Sequence, residues 1–554
     1  MNASPGQSPR RARKLVNPRG TNFSWDQPRF WHDLWRRRVH SSWLIAATGL
    51  GFLVGVGVAN LDAAQYFVGA FWLVASIILL ILALISRTRA MIVVIVLAGI
   101  LLGIARGNWA LGELANYQNF IGRSVEIEAT VSDDPGLSAS NSTTLKLDSV
   151  KIRVAADGHS QAIGGHVFAS VMANKSDIKR SDVVQLSGKL KDGFGSFSAS
   201  MSYARLDRIT ELPGSDPARE VRDFFGQKLR KVIPSPASDL GMGILAGQKT
   251  ALPPALTAAF IAASLMHIVV ASGYNLTILV RFARRLFAKI SRLAALIFSG
   301  MLVLAFANMT GFSPSMMRAS LVAILSLIAW YYGRKFHPVV LLLIVAVITV
   351  ALDPTSLWGD AGWWMSFSSF AGVLIFAPLV KSYFWGDQKE FRPKSKLRNI
   401  FRRQKTLNIK SNDRQDLVEK KHSVREIFIE TFSAQLMSAP IIALMMGQFS
   451  PYGLLANLLV LPIVPLAMLM TFIAGVATLV LPIGLVTTII AWPATQLLNY
   501  IIDVTSWVAD FPGANQQVSF GVLPTVIVFS VILSLILLMK CRTKHSFYDD
   551  NLLE

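Results

Sequence analysis

The sequence has very little cysteine and little charge. Cys541 is the single cysteine among 554 residues, so neither an intrachain disulfide nor a cysteine metal cluster can form. Charged residues make up 16% of the chain and hydrophobic residues 53%, whereas a soluble domain has about 25% charged residues. The composition therefore predicts an integral membrane protein with several spans and excludes a soluble enzyme or a disordered chain.

Sequence motifs of enzymes are missing as well. No phosphate-binding loop of the type GxxxxGK[ST] occurs, so we expect no ATPase activity in this chain. There is no paired-histidine metal motif, and the acids in or beside apolar runs are scattered. We therefore expect a protein that is not an enzyme and needs no metal or cofactor. Some forty polar, Arg-rich residues precede the first apolar run, which argues against a cleavable signal peptide.

What the sequence does contain is a series of apolar runs. A bilayer core about 30 Å thick needs roughly 20 apolar residues of helix. Twelve runs reach or approach this length, which predicts about twelve spans. The run 337–352 is short for a span, and the run 451–480 is long and is broken by Pro462 and Pro465. The runs are 43–60, 66–86, 90–106, 255–285, 291–310, 314–333, 337–352, 360–384, 427–447, 451–480, 484–509 and 519–540.

The basic residues predict the orientation. The chain has 54 Lys and Arg against 33 Asp and Glu, a formal net charge of +21. Residues 1–42 hold nine basic and two acidic residues, and 386–425 hold thirteen and five. Because cytoplasmic loops retain Lys and Arg, both termini are expected in the cytoplasm and residues 110–235 outside. The positive charge is thus mainly a topology signal.

The expected outer segment has the pattern of a small β domain. Five alternating, β-branched stretches are separated by turn-forming residues, which predicts an OB-like barrel, with an unspecialised β-sandwich as the alternative. They are Ser124–Val131, Thr143–Val154, His166–Met172, Val183–Leu190 and Tyr203–Ile209. Residues 120–212 hold eleven basic and eleven acidic residues, which argues against a DNA-gripping domain. Four aromatic residues fit either base stacking or the barrel core: Phe168, Phe194, Phe197 and Tyr203.

The sequence thus predicts a polytopic α-helical membrane protein with a small extracytoplasmic all-β OB-like domain inserted after the third span. A helix over 217–233 has an apolar stripe of Val221, Phe224, Phe225 and Leu229, so we expect it to lie along the membrane face. The predicted divisions are a basic cytoplasmic tail (1–42), three spans (43–108), the β domain (109–212), the amphipathic helix (213–236), a first membrane part (237–385), a basic cytoplasmic loop (386–426), a second membrane part (427–540) and a cytoplasmic tail (541–554).

Polar residues interrupt the fourth apolar run. They are His267, Ser272, Gly273 and Asn275. Polar groups at membrane depth are costly and usually face the bundle interior or a wet cavity. They either line a pathway or hold helices together by hydrogen bonds. His267 is a poor metal ligand because no His, Asp or Glu accompanies it at helical spacing.

A second polar group lies at Thr310–Ala319. Ser313 is the expected N-cap of a helix with Pro314 at its first position. Arg318 follows within about a turn, where it either extends to lipid headgroups or meets an anion at a pore mouth.

Further along, Asp353–Phe367 has two acids and three tryptophans, a composition typical of the aromatic belt at a membrane surface. A weaker fourth group places amides and helix breaks in the last spans: Gln435, Asn457, Pro462 and Pro465.

These segments together resemble the ComEC family of bacterial competence proteins, inner-membrane channels for incoming DNA. The order of the segments follows the family through most of the chain. The family patterns are LLLG…L with SHLLAxSGLH, TGFxPSxxRA and DxGFQLSF. They correspond here to Leu245, Ala246, Gly247 and Leu252 with His267, Ser272 and Gly273; to Thr310, Gly311, Phe312, Pro314, Ser315, Arg318 and Ala319; and to Asp360, Gly362, Ser366 and Phe367.

The chain departs from the family in three places. Asn275 replaces the family's second histidine, and Trp364 replaces its glutamine. Many members continue into a metallo-β-lactamase-like domain proposed to degrade the strand that is not transported. This sequence runs to Glu554 just after a span and has no HxHxDH-type cluster, so that nuclease role is not carried over.

The resemblance implies a channel that passes single-stranded DNA into the cytoplasm during natural transformation. A cytoplasmic ATP-driven motor would be its partner, with a separate nuclease and an extracytoplasmic DNA receptor as further partners. The pathway would be lined or shaped by His267, Ser272, Asn275, Ser313, Arg318 and Asp360. Two other functions stay open: a transporter or exporter of another anionic polymer or lipid-linked solute, and a scaffold that recruits partners.

Overall fold

The fold was analysed in a computed structural model. It describes residues 40–543 except 68, 87, 138–141, 155–159, 173–177, 212–215, 249–251, 270–271, 335–336, 386–423 and 519. Nearly all of the predicted tail 1–42 and loop 386–426, and most of the tail 541–554, lie outside the described residues. The described part is mostly helical and contains one β domain.

Three helices precede the β domain. They are α1 (Ser41–Val58), α2 (Ala70–Ser86) and α3 (Met91–Gln118). Glycines let α1 and α3 approach closely, since a Cβ at Gly55 would lie 2.9 Å from the Ile100 backbone and one at Gly103 2.8 Å from the Val56 nitrogen. The helix α3 runs well beyond the predicted span, and Tyr117 near its end is buried in the barrel core. This helix therefore joins the membrane part rigidly to the β domain.

The β domain is a closed five-stranded barrel. In barrel order, β1 pairs with β6, β6 with β7, β7 in parallel with β5, β5 with β3, and β3 again with β1. This closed order with one parallel pair fits the predicted OB-like domain, and two short strands, β2 and β4, flank β3. The strands are β1 (Ser124–Val131), β2 (Gly136–Leu137), β3 (Thr143–Val154), β4 (Ser160–Ile163), β5 (Val167–Val171), β6 (Val183–Asp192) and β7 (Ala199–Thr210).

The remaining helices follow the barrel. They are α4 (Pro217–Leu229), α5 (Ala237–Ala246), α6 (Pro254–Ala262), α7 (Met266–Val269), α8 (Gly273–Ala288), α9 (Arg292–Met309), α10 (Pro314–Tyr331), α11 (Pro338–Leu352), α12 (Thr355–Gly359), α13 (Ala361–Ala371), α14 (Ala377–Trp385), α15 (Val424–Met446), α16 (Gly453–Val460), α17 (Val464–Val480), α18 (Leu485–Ala509) and α19 (Val522–Arg542). A π-helical turn, Gly372–Phe376, joins α13 to α14, and a short strand pair links Gln448–Phe449 to Gln516–Gln517.

Eight helices of the described residues are long and apolar enough to cross a membrane, or up to nine if a bent pair is one span. The pair is α16 and α17, which meet at 48° across a break that contains Pro462. Of three shorter apolar helices, α2 and α11 lie within the predicted runs 66–86 and 337–352, whereas α5 lies outside the predicted runs. Twelve crossings therefore stay a prediction.

The run 255–285, predicted as a single span, divides into α6, α7 and α8. Ser264 takes a positive φ of 56° after α6, and α8 begins anew at Gly273. The averaged hydropathy of the run does not register these breaks in the backbone.

The helix α4 packs on the protein with part of its apolar stripe. Leu229 is buried and Phe225 packs in the membrane core, while Val221 and Phe224 are exposed. Two arginines of this helix, Arg219 and Arg222, are buried as well. Their buried carboxylate and carbonyl partners, described below, explain this.

The β domain lies at one end of the membrane helices. At that end α9 ends and α10 begins, and the segment between α11 and α13 also contacts the barrel there. The opposite end has a concentration of basic residues, including Arg284, Arg285, Lys289 and Arg292, where α8 ends and α9 starts.

Candidate functional site

Two of the motif segments meet at Gly273, the first residue of α8, and α13, the helix that carries most of the third, lies beside them. A Cβ at this position would lie 3.2 Å from the Cβ of Ala319 in α10 and 3.7 Å from the ring of Phe370 in α13. The small residue permits close approach of these helices. The structure thus brings together segments that the sequence separates widely.

Next to this meeting point, Arg318 of α10 is tied to the start of α13. Its side chain is 2% exposed. Nη2 donates a hydrogen bond to the Gly362 carbonyl at 2.9 Å, and Nη1 lies 3.6 Å from Oδ2 of Asp360. Asp360 in turn caps α13, because its Oδ1 accepts from the Gly362 nitrogen at 2.8 Å. Arg318 is therefore held inside the protein and does not extend to lipid headgroups.

The contacts with Asp360 and Gly362 do not use every hydrogen-bond donor of the Arg318 guanidinium. Its Nε is buried and has no hydrogen-bond partner within the described part of the chain. A buried guanidinium is costly unless it is well paired, and such charges in membrane segments commonly serve transport. The Asp360 side chain is 21% exposed, so one member of the pair lies partly at the surface of the protein. An anion that replaced Asp360 would find a guanidinium already in place.

The turn before α10 is built as predicted at its main positions. Pro314 is the first residue of the helix and Ser313 takes the N-cap position. The Ser313 hydroxyl makes no capping hydrogen bond, however, so the expected side-chain cap is absent. Thr310 is buried, and its hydroxyl donates to the Ala307 carbonyl at 2.9 Å.

The other polar residues of the motifs are placed as follows. Asn275 is buried and donates from Nδ2 to the Ile244 carbonyl at 2.9 Å, which ties α8 to α5. Ser272 takes the N-cap position of α8 without a side-chain cap bond, and Ser366 is half-buried on α13. Asn275 thus serves interhelical packing in this structure.

His267 lies in α7, where the chain is broken. Its Nδ1 is 3.1 Å from the Ser264 carbonyl. The side chain is exposed in the structure.

The weaker amide group lies beside the same turn. A Cβ at Gly453, the first residue of α16, would be 2.7 Å from the Ser264 Cβ and 2.8 Å from Nε2 of Gln435. Asn457 donates to the Gly453 carbonyl at 2.8 Å. The buried oxygens Oε1 of Gln435 and Oδ1 of Asn457 have no hydrogen-bond partner among the described residues. Both amide side chains therefore lie next to Gly453, near the turn that follows α6.

Two arginines that the sequence did not single out dock the β domain onto the second motif. Arg180 donates from Nη1 to the Met309 carbonyl at 3.1 Å and from Nη2 to the Asn308 carbonyl at 3.3 Å. Its Nε donates to Asp216 at 2.7 Å. Arg222 donates to the Met309 carbonyl at 3.2 Å. Cations suit these carbonyls because the end of α9 is the negative end of its dipole.

Carboxylates complete this junction. Arg222 donates to both oxygens of Asp134, at 2.6 and 3.0 Å. Burial by itself lowers the pKa of Arg222, but the hydrogen bond and charge of Asp134, with Asp223, raise it overall. Asp182, 1% exposed, has its pKa raised mainly by burial, against the backbone hydrogen bond from Lys179. The junction is thus a buried network of arginines and carboxylates.

Gly311 of the second motif fits directly against this network. Its φ of 71° favours glycine, and a Cβ there would lie 2.8 Å from Cδ and 3.1 Å from Cζ of Arg180. A motif glycine is therefore a docking surface for the β domain, a role that no local sequence signal indicates.

A second contact joins the barrel to the third motif. Thr355 Oγ1 donates to the Ser196 carbonyl at 3.2 Å. A Cβ at Gly359 would lie 2.6 Å from the Gly195 Cα, so the two backbones touch. Gly359 directly precedes Asp360, which brings the loop between β6 and β7 to the edge of the Arg318 pair.

A family model described as Competence protein matches residues 244–544, more than half of the chain. The chain belongs to the competence protein family. The matched part of this competence protein contains Gly273, Arg318 and Asp360, whereas the β domain precedes it. No curated protein and no solved structure matches the chain. Family membership and the long apolar helices indicate a membrane component of DNA uptake.

No group of three or more His, Cys, Asp or Glu that could hold a metal ion occurs within the ranges the structure describes.

Proposed function

We propose that this competence protein is a non-enzymatic conduit for single-stranded DNA, which it passes into the cytoplasm across the inner membrane during natural transformation. The observation that carries the proposal is the pair of the buried Arg318 with Asp360, which links the second and third motif segments at the end of the helices where the β domain docks. A DNA backbone is a chain of phosphates, and a guanidinium binds phosphate in the same forked manner as carboxylate.

The distribution of charge supports an inward direction. The basic helix ends around Arg285, Lys289 and Arg292 lie opposite the β domain. Because basic ends stay cytoplasmic, the β domain would lie outside and both termini inside. DNA arriving at the β domain would then reach Arg318 before it reaches the basic end.

Energy would come from a separate ATP-driven motor in the cytoplasm, since the sequence has no phosphate-binding loop of the Walker type. The basic segment 386–426 is our candidate for its dock. A separate nuclease and an extracytoplasmic DNA receptor would complete the set of partners.

The test compares Arg318→Ala with Arg318→Lys and with Arg205→Ala, a matched arginine whose side chain is 85% exposed on the barrel. Labelled DNA that becomes protected inside cells is measured against the membrane abundance of each variant. We expect Arg318→Ala to lower uptake at least about tenfold. A tenfold loss corresponds to about 1.4 kcal/mol of lost stabilisation of the DNA in transit. Lysine should restore part of it, and Arg205→Ala should behave as wild type.

Normal uptake by Arg318→Ala at normal abundance would remove Arg318 from the pathway. Unchanged transformation in a deletion strain would reject the conduit altogether. The helices α6–α8 and α16–α17 are interrupted. Interrupted helices also form the substrate site of carriers. Uptake of another polyanion, with none of DNA, by vesicles containing the protein would favour that alternative.

A further inference from the structure

We infer that Phe168, Phe194 and Phe197 form a stacking platform for unpaired bases on the β domain, with lysines beside it for the phosphates. The inference rests on the proposed function in taking single-stranded DNA as the ligand. It assigns that ligand a place outside the membrane helices.

The three rings form one cluster on the barrel surface. Ring centroids are 5.1 Å apart for Phe168 and Phe194, 5.4 Å for Phe168 and Phe197, and 5.5 Å for Phe194 and Phe197. None of the three belongs to the barrel core or packs against it. Phe194 is 54% exposed, while the other two are half-buried and support it. The alternative that these three rings belong to the barrel core is therefore wrong. The ring of Phe194 is exposed, and the other two rings support it.

The platform occupies the face of the barrel that suits oligonucleotides. Phe168 lies on β5, the third strand of the barrel in chain order, and the other two rings lie on the loop between the fourth and fifth strands, β6 and β7. In OB folds, the second and third strands and this same loop form the binding face.

Lysines flank the platform in the sheet. Lys146 on β3 is the direct cross-strand partner of Phe168, which pairs on its other side with Ser200 of β7. Ser200 pairs in turn with Lys191 of β6. Both lysines are exposed, and Lys146 also lies 3.4 Å from Asp133. The domain is neutral as a whole, but this row places a positive charge on each side of an aromatic ring.

The loop that carries Phe194 is better suited to a nucleic acid than to lipid. Trp and Tyr, rather than Phe, are the residues enriched at membrane surfaces. The residues next to Phe194 are already engaged, since Gly195 touches Gly359 and Ser196 accepts a hydrogen bond from Thr355. The loop therefore has one exposed ring and a backbone fixed to the membrane part, beside Asp360. A base stacked on Phe194 would be held close to the outer end of the proposed pathway.

The experiment uses the full chain purified in lipid nanodiscs. Two labelled probes of about 16 units are compared by fluorescence anisotropy at fixed salt: oligo-dT and the same backbone without bases. Phe194→Ala should weaken oligo-dT binding about 5- to 150-fold, the range for loss of one stacked base. Binding of the abasic probe should change less than about twofold, and Phe194→Trp should retain the preference for bases.

Phe224→Ala is the matched control, because Phe224 is also 54% exposed but lies on α4. It should bind both probes as wild type does. The inference is overturned if wild type does not prefer the probe with bases or binds neither probe, if Phe194→Ala binds oligo-dT normally, or if both probes weaken equally. Loss of the base preference in Phe194→Ala, together with unchanged transformation in a deletion strain, would reject the conduit and keep the platform.

Discussion

Substitution of Gly311 by alanine tests whether the β domain is docked as described. The Cβ would lie 2.8 Å from Cδ and 3.1 Å from Cζ of Arg180, closer than nonbonded carbon atoms settle. Arg180 cannot withdraw freely, because it bonds the Met309 and Asn308 carbonyls and Asp216. The substitution therefore forces the arginine off the end of α9.

The expected loss of docking free energy has two contributions. A non-glycine residue at a φ of 71° costs about 1–3 kcal/mol. A lost hydrogen bond to a charged group costs about 1.5–3 kcal/mol, and part of this is recovered when the guanidinium meets water. We expect docking to weaken by roughly 2–4 kcal/mol, so the junction should open about 30- to 700-fold more often.

Hydrogen exchange measures this opening. The amides of Ser181 and Phe312 bond the Val131 and Ala307 carbonyls at the two sides of the junction. Peptides containing them should exchange faster in Gly311→Ala, while the strands β1 and β3 keep their protection. Gly300→Ala is the control, since Gly300 lies on α9 with open space around its Cβ position, and alanine there should be neutral or stabilise by about 0.5–1 kcal/mol. Equal exchange in the two variants would refute the docking geometry.

Two further predictions concern α4 and the barrel. A Cβ at Gly475 would lie 2.6 Å from Cε1 of Phe225, so Gly475→Ala should lower the melting temperature of the purified protein. The double variant with Phe225→Ala should recover part of this loss. An unchanged melting temperature in the single variant would contradict the packing of α4 on α17. The pKa of Asp182 is raised by burial above the ordinary value of about 3.9, so the folded state holds this proton more tightly than the unfolded chain. Its contribution to stability is therefore greatest below about pH 3.9 and is lost as the pH rises through the raised folded pKa. Asp182→Asn keeps an acceptor for the Lys179 amide. As the pH rises through that interval, the melting temperature of this variant should increase relative to that of wild type. A melting-temperature difference that does not change with pH would show that burial of the charge is unimportant.

The fold of the β domain was largely predictable. Alternation alone places β1 and β3 at their observed bounds, and the other three predicted strands differ by a few residues at their ends. The two short strands were missed because two to four residues are too few for a period of two to show. Turn formers between the runs limited where each strand could end, so local information was sufficient here.

The junction could not be predicted, because its chemistry is not local. Arg180 lies in the β domain and Arg222 on α4, and both donate to carbonyls at the end of α9. Asp134 of the β domain accepts from Arg222. A sequence pattern does not show which backbone carbonyls will accept hydrogen bonds from distant side chains. The strict alternation in β5 did contain one usable signal: with Val167, Ala169 and Val171 inward, Phe168 had to face outward.

The two junctions of the β domain border the two partners of one buried pair. One junction ends on Gly311, in the turn that leads into α10 and hence to Arg318. The other ends on Gly359, the residue before Asp360. Arg318 and Asp360 lie 3.6 Å apart, a separation at which a small shift decides whether the ion pair closes or opens. The two contacts of the barrel thus lie in the two segments that lead into Arg318 and Asp360.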